Sequence, residues 1–300
     1  MLRRCLIAST AVLVATLAGL APAVAQEKLK VIATFSILAD FVKNVGGDRL
    51  ELRTLVGPNA DAHVYSPSPS DAKALSDAKI VFINGLGYEG WITRLVKASA
   101  SKAAIVVASK GVKPRRASSS GHDHGEADPH TWQSIANAKL YVGNIRDALA
   151  AADPPGRDAY AANAADYLAK LDALEQEVKA AIAALPAERR KIITTHDAFG
   201  YFEQAYGLAF IAPQGVSTEA EASARDVARI IAQVKRQKVP AVFLENVTDP
   251  RLVQRIAAET EAKIGGTLYS DALTDASGPA PTYIDMMRHN VRTLTAALTS

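Results

Sequence analysis

The chain has 300 residues, 49% of them hydrophobic, which is enough apolar content for the cores of two domains of ordinary size. Its formal net charge of +3 falls to +1 when Arg3 and Arg4 of the N-terminal segment are left out, so the charge balance gives no support to nucleic-acid binding. The single cysteine, Cys5, lies in the same segment, which excludes disulfides, a thiolate zinc site and a cysteine nucleophile from the rest of the chain.

The first 25 residues have the pattern of a secretory signal peptide. A basic start is followed by an apolar run from Leu6 to Leu20 and by a small-x-small cleavage site at 23–25. The apolar run is short for a bilayer span, which disfavours a membrane anchor. We therefore expect export to the bacterial periplasm and a mature chain that starts near Gln26.

Residues 26–152 alternate short apolar segments with helical patterns. Ser68 as N-cap with Pro69 at the first helical position predicts the start of one of these helices. Strand and helix in alternation favour a parallel sheet with crossover helices. The predicted strands are 29–35, 50–56, 79–85 and 104–109. A stretch at about 112–128 has no periodicity, mixes Gly, Pro, Ser and charged residues, and is typical of a mobile loop.

Residues 153–186 predict one long helix, with proline near each end. Apolar residues recur three or four apart and form one stripe, and the segment lacks the Gly and Ser of a flexible linker. We expect a stiff connection between two lobes. The stripe consists of Tyr160, Ala164, Tyr167, Leu168, Leu171, Leu174, Val178 and Ile182.

Residues 187–300 repeat the alternation of the first half. Helical segments such as SARDVARIIAQVKRQ lie between short apolar runs. The fold class predicted for the whole chain is therefore α/β, with two Rossmann-like lobes that have parallel sheets. The predicted strands are 191–196, 208–214, 241–247 and 265–271.

Three histidines and one aspartate follow or end predicted strands: His63, His130, His196 and Asp271. In open α/β sheets the carboxyl ends of the strands face the ligand crevice. Two of these residues come from each lobe, so facing lobes could direct all four at one point in the cleft. The alternative, that they are ordinary polar residues of distant loops, stays open on this pattern alone.

Four segments resemble the metal-binding segments of the zinc and manganese solute-binding proteins of ABC importers, the ZnuA-like and TroA-like family. The resemblance covers nearly the whole chain after the signal peptide, in order. It implies two lobes joined by a rigid helix, and one metal ion in the cleft held by His63, His130, His196 and Asp271. The segments are DAHVYSPSPSDAKALSDAKIVFINGLGYEGW, DPHTWQS, THDAFGYFEQAYGL and LYSDAL.

The resemblance also implies a function and partners. The expected protein is a monomeric periplasmic receptor, and not an enzyme, that delivers its metal to an ABC permease in the inner membrane. A periplasmic metallochaperone is a further candidate partner. Three imidazoles and one carboxylate fit four-coordinate zinc, whereas manganese sites favour carboxylate oxygen. Zinc is therefore the expected cargo, and a manganese or mixed zinc, manganese and iron receptor is the alternative.

Two other histidines, His122 and His124, lie in the aperiodic loop beside acidic residues. One hypothesis is a weak auxiliary site that collects zinc and passes it inward; the other is a solvated loop without a dedicated role. His289 is expected on the surface of the last helix. Glu245, at the end of a strand, is a candidate carboxylate that contacts a ligand rather than the metal.

A zinc-dependent periplasmic hydrolase is the alternative from another functional class. Catalytic zinc has three protein ligands and an open water position, whereas four protein ligands close the site. The sequence contains no H-E-x-x-H motif, no G-x-S-x-G elbow and no Gly-rich phosphate loop. The sequence thus favours binding and release over catalysis.

Overall fold

The computed structural model describes residues 27–116 and 127–299. The predicted signal peptide, 1–25, and the loop histidines His122 and His124 lie outside the described residues. None of the helices in the described part of the chain is long and apolar enough to span a bilayer.

The N-terminal lobe is a parallel sheet with helices packed on it. Its strands are β1 (Leu29–Phe35), β2 (Leu50–Val56), β3 (Ile80–Ile83) and β4 (Ala104–Val107), and its helices are α1 (Ser36–Gly46), α2 (Pro69–Asp77), α3 (Ile92–Ser99) and α4 (Ile135–Ala152). The strand order is β2-β1-β3-β4 with parallel pairs throughout. The last five residues of β1 are all buried, as expected of a parallel strand covered on both faces.

The start predicted for α2 is confirmed in detail. The Ser68 hydroxyl accepts a hydrogen bond from the Asp71 N–H, and the Asp71 carboxylate accepts one from the Ser68 N–H, while Pro69 occupies the first helical position. This reciprocal capping box satisfies two backbone donors that the helix itself cannot satisfy.

The long helix, α5 (Arg157–Ala183), has 27 residues, which corresponds to about 40 Å at 1.5 Å per residue. Its predicted stripe is buried apart from Leu168, which is half-buried. The helix does not stand free between the lobes, because the stripe packs along α1 and α4 and along the last helix of the chain. Apolar burial along this length opposes bending of the connection.

The C-terminal lobe repeats the topology of the first. Its strands are β5 (Lys191–Ile193), β6 (Ala209–Ile211), β7 (Ala241–Glu245) and β8 (Lys263–Leu268), and its helices are α6 (Gly200–Tyr206), α7 (Ala224–Gln237), α8 (Pro250–Ala258) and α9 (Tyr283–Thr299). The order is β6-β5-β7-β8, again parallel. In both lobes the strand order reverses beside the first strand, which is the position where open α/β sheets form a ligand crevice.

Six strands, β3 to β8, end two or three residues earlier than the sequence predicts, and side chains account for three of these ends. β5 stops at Ile193 instead of 196 because the Glu245 carboxylate accepts the backbone N–H groups of Thr195 and His196. β3 stops at Ile83 instead of 85 because Glu89 accepts the N–H groups of the next two residues. β8 stops at Leu268 instead of 271, since the Asn290 amide pairs with the Tyr269 backbone. A side chain replaces the neighbouring strand in each case.

The lobes are joined beneath the cleft by buried hydrogen bonds. The side chains of Trp132 and Gln133 both donate to the Ser270 carbonyl, at 2.9 and 2.8 Å. The Tyr283 hydroxyl donates to the Trp132 carbonyl at 2.7 Å, and the Tyr283 N–H donates to Asp40 on α1 at 3.0 Å. One hydrophobic core runs through α1, α4, α5 and α9 and so belongs to both lobes.

Candidate metal centre

The four candidate ligands meet between the lobes. Each of them offers one nitrogen or oxygen atom, and these four atoms all lie within 4.8 Å of one another. The four residues are His63, His130, His196 and Asp271. The Nε2 atoms of His63 and His130 are 3.2 Å apart. Asp271 oxygens lie 3.7, 3.5 and 3.0 Å from the Nε2 atoms of His63, His130 and His196. Ligands about 2.0–2.1 Å from a tetrahedral zinc ion are separated by roughly 3.3 Å, so these spacings suit one small cation.

One candidate ligand has an exposed side-chain surface, and the other three have none. The side chains of His130, His196 and Asp271 have no exposed surface, whereas that of His63 is 5% exposed. His63 also lines a cavity of about 370 Å³ that opens between the lobes, together with Tyr88 and Glu219. An ion would therefore reach the group past His63.

Several polar atoms of the group have no hydrogen-bond partner among the described residues. Both oxygens of the Asp271 carboxylate and the Nε2 of His196 are buried in this state. Imidazoles, the nearest 3.0 Å away and without an aligned hydrogen bond, lie beside this buried charge, and coordination to a cation would offset the remaining cost of burying it. The donor set thus fits a metal ion better than it fits a closed network of hydrogen bonds.

Two carboxylates orient the imidazoles from behind. Asp128 accepts a hydrogen bond from His130 Nδ1 at 2.9 Å and pairs with the Arg115 guanidinium at 2.6 Å. Glu245 lies 2.7 Å from His196 Nδ1. A proton held at Nδ1 leaves the Nε2 lone pair free for a metal, and such partners set both the tautomer and the direction of the ring.

The electrostatic settings of the imidazoles differ. Burial lowers the pKa of His63 to about 3, because the charged form would be poorly solvated. Burial acts the same way on His196, but the carboxylates of Glu245 and Asp271 outweigh it and raise the pKa of this imidazole well above its usual value. For Asp271, burial favours the neutral acid, yet the neighbouring imidazoles hold the pKa of the carboxyl below its usual range.

Two aspartates contact the backbone of candidate ligands, a role that the sequence analysis did not assign to them. Asp61 accepts the backbone N–H of His63 at 2.8 Å, and Asp128 accepts that of His130 at 2.9 Å. Each aspartate lies two residues before its histidine, and Asp128, which the sequence places in the aperiodic loop, is fully buried. The repeated spacing D-x-H was visible in the sequence, because an aspartate commonly accepts a backbone N–H two residues ahead.

His289 does not join the group. It lies half-buried on α9, with Nε2 3.0 Å from the Thr267 carbonyl, rather than on the open surface. Glu245, by contrast, occupies the position expected of a carboxylate that contacts a ligand.

Substitution of Glu245 by glutamine should lower metal affinity by about 10- to 100-fold, since partners of a metal-bound imidazole typically contribute that much. The amide keeps the size of the side chain but loses the charge beside His196. The matched control is Glu203→Gln, because Glu203 also accepts a backbone N–H, that of Phe210, outside the metal centre. Competition with a chelator measures the affinity; equal values for both variants would exclude a role of Glu245 in orienting His196.

Comparisons with known proteins agree with the geometry. The sequence model of a protein family described as ZnuA, zinc-uptake complex component A, periplasmic, matches residues 31–297. The manganese ABC transporter substrate-binding lipoprotein PsaA of Streptococcus anginosus is 33% identical over 290 residues, covering 94% of this chain and 93% of that protein. The iron-binding protein YfeA of Yersinia pestis is 32% identical over 286 residues, covering 95% and 91%.

A solved structure extends the likeness to three dimensions. The periplasmic zinc-binding protein TroA of Treponema pallidum superimposes with a TM-score of 0.85 at 32% identity, covering 90% of this chain and 99% of that one. The family model, the two relatives and the solved structure each match nearly the full length of this chain. The chain therefore belongs to the ZnuA family of periplasmic components of metal-uptake complexes.

Proposed function

We propose that the protein is a periplasmic receptor that captures a zinc ion and delivers it to an ABC-type permease in the inner membrane. The observation that carries the proposal is the convergence of three imidazoles on a buried carboxylate that has no hydrogen bonds of its own among the described residues. Membership of a family described by zinc uptake supports the role in transport. The ligands are then His63, His130, His196 and Asp271.

The donor set supports zinc as the cargo. Three nitrogens and one oxygen suit a four-coordinate borderline-soft ion, whereas manganese favours more oxygen ligands. Manganese is the second candidate, because several relatives are named for it and because both oxygens of Asp271 are free to coordinate. A bidentate Asp271 would raise the coordination number toward that of a manganese site.

The position of the carboxylates supports a receptor rather than a hydrolase. Four protein ligands would fill a tetrahedral zinc site and leave no place for the reacting water. Glu245 and Asp128 lie behind the imidazoles and accept backbone N–H groups there, so neither is placed as a general base in the cavity. Binding and release need none of these groups to react.

A titration of the metal-free protein with zinc and with manganese tests the proposal. We expect one zinc ion per chain and a preference for zinc in direct competition. Competition against a chelator of known affinity measures both constants. Absence of zinc binding would refute the receptor role, and a preference for manganese would leave the receptor but change its cargo.

Zinc affinity should rise by about tenfold per pH unit between pH 6 and 7.5, because one bound proton must leave. The pKa of His196 is raised well above its usual value, so this imidazole is protonated in the metal-free protein. Its proton competes with the zinc ion, and this competition weakens only as the pH rises through that pKa. His63, whose pKa is about 3, is neutral throughout and contributes no proton. Calorimetry in two buffers counts the protons released; a flat pH profile would contradict the assignment of His196.

A further inference from the structure

The loop that carries His63, residues 57–67, connects β2 to α2 and borders the cavity. Within its own lobe it is held by the Trp91 indole, which donates to the Ala62 carbonyl at 2.8 Å. Toward the other lobe, the Asn59 N–H donates to the Leu273 carbonyl at 2.8 Å. His63 has no carboxylate behind its ring among the described residues, in contrast to His130 and His196. Its position therefore depends on how this loop is held.

Asp61 connects the His63 loop to the opposite side of the cleft. One carboxylate oxygen accepts the His63 N–H at 2.8 Å, and the other accepts the Thr218 hydroxyl at 2.5 Å. Thr218 belongs to the C-terminal lobe, in the loop 212–223 between β6 and α7. A single side chain thus contacts the backbone of a candidate ligand and a residue 157 positions further along the chain.

The Asp61–Thr218 contact lies beside the cavity. Val216, Ser217 and Glu219, the neighbours of Thr218, line the same cavity as His63. Further contacts between the lobes lie at the base, where Trp132 and Gln133 bind the Ser270 carbonyl and both lobes share one core, and the start of the His63 loop adds the contact of Asn59 with Leu273. With the base fixed by a shared core and α5 packed along both lobes, we expect the ion to leave through a movement of the loops beside the cavity.

We propose that Thr218 is a positioning residue whose hydrogen bond to Asp61 holds the His63 loop against the C-terminal lobe and slows release of the metal. The inference rests on the proposed function, since it concerns the ion held by His63. Rupture of this bond frees the Asp61 carboxylate, and with it the loop, while Asn59 still anchors the start of the loop. The bond thus acts on the dissociation step more than on the final geometry of the ligands.

The test measures zinc dissociation from the full chain. Zinc-loaded protein is mixed with excess chromophoric chelator in a stopped-flow instrument, and the association rate is measured separately. Thr218→Val removes the hydroxyl but keeps the shape, Thr218→Ser keeps the hydroxyl, and Ser277→Ala removes an exposed hydroxyl that donates to the Asp275 carboxylate outside the cavity. Thr218→Ala replaces the valine variant if valine prevents folding, which thermal unfolding of the metal-free protein reports.

We expect Thr218→Val to release zinc about tenfold faster than the wild type, because a hydrogen bond to a charged group is lost. The Thr218→Ser and Ser277→Ala variants should stay within about twofold, with unchanged unfolding temperatures and association rates. Equal dissociation from wild type and Thr218→Val would overturn the inference, as would equally fast release from Thr218→Ser. A wild type that retains no zinc refutes the proposed function itself, so the two failures are distinguishable.

Discussion

Replacement of His196 by alanine should lower zinc affinity by at least about 100-fold, or roughly 2.7 kcal/mol. The substitution removes one of the three imidazoles proposed to bind the ion. It also leaves the carboxylates of Asp271 and Glu245 buried without the ring that lies 3.0 and 2.7 Å from them. Two adjacent buried negative charges lose their partner, so the metal-free variant should also unfold at a lower temperature.

His289→Ala is the matched control for this loss of affinity. It removes the same side chain from α9, where the ring contacts the Thr267 carbonyl and no candidate ligand. Chelator competition on both variants separates a ligand from an ordinary histidine. If His196→Ala binds zinc within threefold of the wild type, His196 is not a ligand and the tetrahedral assignment is wrong.

Replacement of His196 by glutamate should change selectivity rather than abolish binding. The donor set becomes two nitrogens and two carboxylates, which is harder and therefore more favourable for manganese and less favourable for zinc. We expect the ratio of zinc to manganese affinity to fall by about 100-fold, with most of the change in the zinc constant. Two relatives are named for manganese, which makes the ratio of zinc to manganese affinity the relevant quantity to measure.

Glu245 should make manganese binding by the His196→Glu variant depend on pH. It lies directly behind position 196, so a new carboxylate there would face two others, those of Glu245 and Asp271. Repulsion between them should raise the proton affinity of the metal-free site and make manganese binding steeply dependent on pH. His196→Gln is the control, because it removes the imidazole without adding charge. A manganese affinity that is the same in both variants would show that carboxylate oxygen at position 196 does not determine selectivity.

Two buried carboxylates end strands by accepting backbone N–H groups, and one of them also contacts a candidate ligand. Glu89 and Glu245 each end a strand by accepting two consecutive backbone N–H groups. In the C-terminal lobe the second of these groups belongs to His196, so the residue that ends β5 also places the candidate ligand. One carboxylate therefore couples the local backbone turn to the direction of the imidazole.

Much of the architecture could be predicted from the sequence. The alternation of apolar runs with helical patterns is local, and the right-handed crossover rule leaves few ways to arrange it, so the parallel sheets of both lobes were predictable. The stripe on α5 is a local periodicity, and the Ser68 cap is a contact between residues three apart. The residue types of the candidate site were predictable because ligands gather at the carboxyl ends of parallel strands. Their roles as ligands stay a prediction.

Tertiary structure alone decided the remaining features. Glu245 ends β5 from 50 positions away, and Asn290 ends β8 from 21 positions away, so no pattern local to either strand contains its end. The hydrogen bond between Asp61 and Thr218 likewise joins distant parts of the chain. The packing of α5 on both lobes does the same. Periodicity records which face of an element is buried, because that depends on spacing along the chain. It does not record which distant side chain meets that face, because that depends on how the lobes pack.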